Sequence, residues 1–292
     1  MHEFEYVAVQ TLDEATSLLA ERKGDVRLLA GGTDLIVNMR VGRRSPGVVI
    51  DAKKIDELRQ LELGDAGLSI GAAVSCREIW ENDAIRKAYP ALIDSASLIG
   101  GVQIQGRASI GGNLCNAAPS ADAVPTLIAY GAIAHIQSAS GERQLPVEEI
   151  CTGPGQNALA DDELLVKITL SAPAANSGAG FLRFIPRNEM DIAVANVASW
   201  VELDDSGKEF KSARVATGAV APIPLYVEEA GAALSGKAVN EENIAEAARI
   251  AMEAAKPITD MRGTEAHRKQ LVEVLTRRTL GIAVSRARGE SS

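Results

Sequence analysis

The chain has 292 residues, about twice the ~150 of a typical domain, and its 46% hydrophobic and 24% charged residues exclude disordered, collagen-like and fibrous classes. Only 3% of the residues are aromatic, so the core must be built from Ala, Val, Leu and Ile, and aromatic stacking platforms are not expected. With 30 basic against 39 acidic residues the net charge is −9, which repels phosphate backbones and argues against nucleic acid as a partner.

No apolar run approaches the ~20 residues of a membrane span, and Met1-His2-Glu3-Phe4-Glu5-Tyr6 lacks the basic-then-apolar order of a signal peptide, so a cytoplasmic location is expected. Cys76, Cys115 and Cys151 are odd in number and far apart, which supplies neither a disulfide framework nor a zinc or iron–sulfur site.

Thr11 and Glu14 have the spacing of a capping box, and Ala15, Leu18 and Leu19 share one face, predicting a helix over 12–23 that Gly24 stops. Val26 to Ala30 reads as a strand that runs into Gly31-Gly32-Thr33-Asp34, after which Leu35, Ile36 and Met39 resume a helical period. Residues 48–51 and 68–71 are further strands, Ser75 and Glu78 form a second capping box, and 84–98 reads as helix. Gly100, Gly101, Gly106, Gly111 and Gly112 lie so close together that a tightly turning loop is expected over 100–112.

Residues 120–130 return to a helical pattern, and 133–136 and 164–170 read as strands, so the first half is mixed α and β. The small-residue stretch 171–180 marks the expected domain boundary. Beyond it, strands at 181–185, 192–203 and 213–219 precede helices at 241–255 and 265–286, an α+β order. From Arg262 to Arg288 seven basic residues stand against two Glu, which reads as a solvated basic face or as a subunit-docking surface.

The chemistry rests on two glycine turns, Ala30-Gly31-Gly32-Thr33-Asp34 and Ser109-Ile110-Gly111-Gly112-Asn113. Each is open to two readings: a turn that needs positive φ, or a nest of backbone N–H groups aimed at one anion. A pair of nests suits a pyrophosphate. The chain contains no G-x-x-x-x-G-K-[ST], and no G-x-G-x-x-G follows the first strand, so a dinucleotide site would need neither a P-loop nor a Rossmann fold.

The segment Leu28-Leu29-Ala30-Gly31-Gly32-Thr33-Asp34-Leu35, together with Ser109 to Asn113 and Asn116 to Asp122, resembles the FAD-binding medium subunit of molybdenum hydroxylases. That family includes xanthine, carbon monoxide and nicotinate dehydrogenases. The resemblance continues through Arg187 to Ala193 and Asp260-Met261-Arg262-Gly263, and so covers nearly the whole chain. It implies an α+β architecture: a vanillyl-alcohol-oxidase (PCMH) type FAD-binding domain over 1–175, with α/β subdomains about 1–57 and 58–175, and a C-terminal α+β domain over 176–292.

It also implies cofactor contacts. Leu28 to Leu35 would wrap the FAD pyrophosphate and ribityl chain, and Ser109, Ile110, Gly111, Gly112 and Asn113 would close from the other side. Asp122 would bind the adenosine half, Ile99, Leu165 and Arg183 would touch the cofactor, and Ile192 would lie near the flavin ring. Arg183 departs from the Lys common at its position. From the residues alone, Asp122 reads equally as a first-turn helix acid, Asp34 as an acidic N-cap, and Ile99, Leu165 and Ile192 as core. Cys115 is assigned no role.

Thr33 stands where covalent relatives often carry a His, so the FAD is expected to be non-covalent. By the same resemblance the molybdenum–pterin centre belongs to a large partner subunit and the [2Fe–2S] clusters to a small one, commonly as a dimer of three-subunit units. This chain would pass electrons through FAD to NAD, a quinone, oxygen or another acceptor. A stand-alone flavin reductase of the same fold and a non-redox assembly module are the alternatives, and the substrate of the complex is not readable from this chain.

Overall fold

The structure, a computed structural model, describes residues 1–188 and 190–290. Its first body comprises β1 (Glu5–Val7), α1 (Leu12–Glu21), β2 (Val26–Leu29), α2 (Leu35–Arg40) and β3 (Val48–Asp51). The strands form a parallel sheet in the order β1-β3-β2. The central β3 is buried along its whole length, as an unbroken Val-Val-Ile run requires of a strand covered on both faces. Thr11 caps α1 by accepting the Glu14 amide, but the Glu14 carboxylate accepts from the Gln10 amide, so the expected box is displaced by one residue.

The second body adds β4 (Leu61–Gly64), β5 (Gly67–Gly71), α3 (Cys76–Trp80), α4 (Asp83–Ala88), α5 (Pro90–Ala96), α6 (Val102–Gln105), α7 (Ile110–Asn116) and α8 (Ala123–Ala129). It continues with β6 (Ile133–Ser138), β7 (Gly141–Pro146), β8 (Cys151–Gly153), β9 (Gln156–Asn157) and β10 (Leu164–Ser171). Five of its strands make an antiparallel sheet in the order β4-β5-β10-β6-β7, and β8 and β9 form a separate hairpin. Strand residues Leu68, Ile70, Ile136 and Ile168 pack with Leu92, Leu114 and Leu127 from the helices to make its core.

Two expectations change here. The helix over 84–98 is broken at Tyr89, because the residue before a proline is pushed out of the helical region, and Pro90 then starts a new helix. The segment 100–112 is not a loop throughout: 102–105 form a helical turn, and Gly111 and Gly112 lie in the first turn of α7. Glycine weakens a helix there, but the Ser109 hydroxyl accepts the Gly112 amide at 3.0 Å and caps the turn.

The third body is an antiparallel meander, β11 (Ser177–Phe184), β12 (Ala195–Leu203), β13 (Phe210–Gly218) and β14 (Leu225–Tyr226), followed by α9 (Glu228–Ala232), α10 (Glu241–Ala254) and α11 (Glu265–Ala287). The small residues 177–180 are strand rather than linker, pairing with Glu202 to Ser199 of β12. Its sheet packs on α5 and α8 through Ala91, Ala129, Ala179, Phe181 and Ala198. Three arginines cross that seam: Arg183 to Asp122 at 2.6 Å, Arg214 to Glu148 at 2.9 Å and Arg286 to Asp94 at 2.6 Å.

The basic run reaching into α11 is not a solvated face throughout. Arg268 is buried and donates to the carbonyls of Val194 and Ala219 and to Asp260, Arg286 holds Asp94, and Arg277 and Lys269 pair with Glu241 and Glu265. Asp260 also accepts from the amides of Arg262 and Gly263, so the Asp260–Gly263 motif is a brace that fastens α11 to the chain at Val194.

Candidate functional site

The end of β2 and the start of α7 belong to different bodies, and the fold brings them into contact. Gly31 lies so close to the second body that a Cβ would overlap the Arg107 carbonyl oxygen, and Arg107 Nε donates to the Gly31 carbonyl at 3.2 Å. Gly32 has φ +78°, a conformation that strains a residue with a side chain. Next to this junction opens a cleft of about 630 Å³, a size that suits a cofactor.

The first body lines the cleft with Leu28, Ala30, Gly31, Gly32, Thr33, Asp34 and Leu35. The second contributes Ile99, Ser109, Gly111, Gly112, Asn113 and Leu165. Five expected residues stand off this lining. Leu29 is not among the lining residues, its Cδ1 standing 2.7 Å from where a Cβ on Gly32 would lie, and Ile110 is fully buried in the core of the second body. Ile192 lies outside the cleft lining and is 51% exposed, and Glu189 of the same motif lies outside the described residues.

Asp122 and Arg183 meet each other instead. Arg183 Nη1 donates to Asp122 Oδ2 at 2.6 Å and Asn196 Nδ2 to Oδ1 at 3.3 Å, with both charged side chains buried. Burial pushes the Asp122 carboxyl upward, while the Arg183 charge and the two hydrogen bonds pull it down. Arg183 Nε and Asn196 Oδ1 remain buried without a hydrogen-bond partner among the described residues. One link joins this cluster to the cleft: the lining residue Asn113 accepts the Ala123 amide, next to Asp122, at 3.3 Å.

Sequence reasoning missed a whole wall. The β8–β9 hairpin contributes Thr152, Gly155, Gln156 and Asn157, the following segment adds Leu159, Ala160 and Asp161, and Arg27, Asn38 and Arg44 line the cleft from the first body. Arg27 directly precedes the Leu28 motif and was findable. Gly153-Pro154-Gly155 signals a turn, but the hairpin's place at the cleft is set by tertiary contact, Asn157 Nδ2 donating to the Cys115 carbonyl at 2.7 Å.

Asp34 occupies the N-cap position of α2 but makes no capping hydrogen bond, and burial raises its carboxyl above the ordinary value. Cys115 also lines the cleft. Burial, with Cys151 adding to it, pushes its thiol up to about 12, so it stays a neutral thiol rather than a reactive thiolate. Ser109 Oγ is committed to its cap, and no histidine is among the lining residues described, so no nucleophile–base pair faces the cleft. The chemistry offered is binding, with backbone amides at the glycine turns for an anion and Leu28, Ile99 and Leu165 for apolar ring surface. A flavin dinucleotide fits that donor set.

A parallel sheet and an antiparallel body clamping a glycine-lined cleft, with a further α+β domain behind, define an FAD-binding protein of the two-subdomain type. The comparisons identify the family. Residues 2–173 match the FAD-binding domain of molybdopterin dehydrogenases, and residues 181–283 match the CO dehydrogenase flavoprotein C-terminal domain. The chain is 32% identical over 288 residues to the xanthine dehydrogenase FAD-binding subunit of Escherichia coli O157:H7, covering 98% of this chain and 97% of that protein. It is 29% identical over 283 residues to the carbon monoxide dehydrogenase medium chain of Hydrogenophaga pseudoflava, covering 97% and 98%. A chain of the solved carbon monoxide dehydrogenase from Hydrogenophaga pseudoflava superposes with a TM-score of 0.92 at 30% identity, covering 98% of each chain. The chain therefore belongs to the FAD-binding medium subunits of the molybdenum hydroxylases.

Proposed function

We propose that this chain is the electron-exit subunit of a molybdenum hydroxylase, working with a large molybdenum–pterin subunit and a small iron–sulfur subunit. When bound, FAD supplies the relay from the [2Fe–2S] clusters of the small subunit to an external acceptor such as NAD, a quinone or oxygen. The observation that carries the reading is the meeting of two glycine turns from separate bodies at one cleft.

This chain's own work is placement. The amides around Gly31–Thr33 and that of Gly111 receive the phosphate groups, since the Gly112 and Asn113 amides are taken by Ser109, and the apolar walls at Leu28, Ile99 and Leu165 exclude water from the rings. Asp34 presents a carboxyl with a raised affinity for a proton inside the cleft. Asp122 and Arg183 serve by fixing the position of Asn113 and α8 against the third body. The division into residues 1–175 and 176–292 assigns the whole cleft to the first domain and the brace behind it to the second.

The test is to add FAD to the purified chain, desalt it, record the flavin absorbance and then precipitate the protein with acid. Retained colour that acid releases is the expected result, because no covalent attachment is expected at Thr33. Gly112→Val is the matched control: a Cβ there would meet only Ser109 Oγ, at 2.9 Å, so the variant is expected to fold and to lose the flavin. A wild-type chain that stays colourless, alone and with its partner subunits, would defeat the reading in favour of an assembly module.

A further inference from the structure

The two glycine turns supply amide dipoles but no positive charge, and the ionisable group within them, Asp34, is an acid. A dinucleotide diphosphate carries two negative charges and needs a counter-charge once water is displaced. Among the described residues that line the cleft, only Arg27 and Arg44 are cationic. The lining acids are Asp34, Asp161 and Glu163, and Glu163 is neutralised by Arg143 at 2.6 Å.

Arg27 is half-buried on β2, immediately before the glycine motif, with Nη1 donating to the Gly24 and Val26 carbonyls at 3.1 and 2.6 Å. Its Nε and Nη2 remain free for a ligand among the described contacts. Arg44 follows α2 on an exposed segment and reaches the Gly155 carbonyl of the opposite wall at 3.5 Å. Neither arginine has a carboxylate at ion-pair distance among the described residues. Burial and the nearby Arg44 charge disfavour the Arg27 cation, and Asp161 and Asp25 oppose them only in part. Asp25 is itself engaged, accepting the Gly47 amide at 2.7 Å. Two guanidinium groups without a salt-bridge partner on a half-enclosed cleft repel each other until an anion sits with them.

We propose that Arg27 and Arg44 form the anion subsite of this cleft and neutralise the diphosphate of the bound dinucleotide, while the glycine turns supply the close backbone approach. Arg44 bridges from the first body towards the β8–β9 hairpin, so anion binding there also draws the two walls together. This inference rests on the FAD-binding reading and adds to it which side chains carry the charge.

The experiment measures the FAD dissociation constant by flavin fluorescence over a range of salt concentrations for the wild-type chain, Arg44→Gln and Arg44→Lys, with the corresponding Arg27 variants beside them. At low salt Arg44→Gln should weaken FAD binding by about tenfold or more, Arg44→Lys should retain most of the affinity, and the deficit should shrink as salt screens the charge. A packing role predicts a loss shared by Lys and Gln and insensitive to salt, and that result overturns the proposal. So does an Arg44→Gln chain that binds FAD as the wild type does. Because Arg44 is exposed, its variants keep the test decisive if the Arg27 variants fail to fold. A wild-type chain that binds no FAD at any salt defeats the functional reading itself, which is a different outcome from a bound wild type with indifferent variants.

Discussion

Asp122 shows how a residue that sequence similarity assigns to a ligand can be held by the protein itself. Its two oxygens are taken by Arg183 and Asn196, and the arginine side chain is only 5% exposed. Removing one partner of a buried pair strands the other charge, at a cost of about 3–5 kcal/mol. Asp122→Ala is therefore expected to lower the urea midpoint substantially, whether or not FAD is present. If the variant unfolds with the wild type and loses only flavin affinity, Asp122 is a ligand contact and not a brace. Gly31 makes the complementary point: its missing side chain is required by the Arg107 carbonyl, so packing between bodies alone accounts for a glycine at this position.

At the scale of elements, what was legible in the sequence was local. The box at Ser75 and Glu78 closes as its spacing predicts, and β2, β3 and β10 lie where their apolar runs put them. The break at Pro90 falls inside a continuous helical pattern, and the glycines at 111 and 112 sit in a helical turn because the Ser109 cap offsets their cost, which a count of glycines does not show. The site divides in the same way: the glycine turns are continuous segments, whereas the β8–β9 wall is assembled by contacts far apart in the chain.

That wall is tied to pH through Glu163 at the head of β10. Hydrogen bonds from Arg143 hold its carboxyl below the ordinary Glu value, burial opposes them, and the Ala160 amide adds to the lowering. A depressed carboxyl contributes stability that is complete above the unfolded value, ~4.3 to 4.5, and is lost as pH falls through the lower folded value. The half-exposed arginine limits the effect to roughly 1 kcal/mol. The stability difference between wild type and Arg143→Gln should therefore stay constant near neutral pH and close below about pH 4. A difference that is unchanged down to the acid transition would show that the pair contributes through packing and not through charge.

At the scale of the whole molecule, the third body forms part of the structure that supports the cleft. Every residue of α8 is buried, and Ala216 of β13 belongs to the same core as the helices of the second body. Asp122, Glu148 and Asp94 each depend on an arginine from beyond residue 180. A chain ended at residue 175 would expose Ala91, Ala129 and Tyr130 and leave those three acids unpartnered. A loss of about 4 kcal/mol lowers the melting temperature of a domain this size by roughly 8–16 °C, so the truncated chain should melt well below the intact one. Calorimetry of both chains decides between the alternatives. One cooperative transition in the intact protein, with an early melt in the truncated one, marks the third body as a structural support for the FAD cleft. Two separable transitions in the intact chain, one of them at the temperature of the truncated chain, would mean that the seam carries no stability and that the cleft stands by itself.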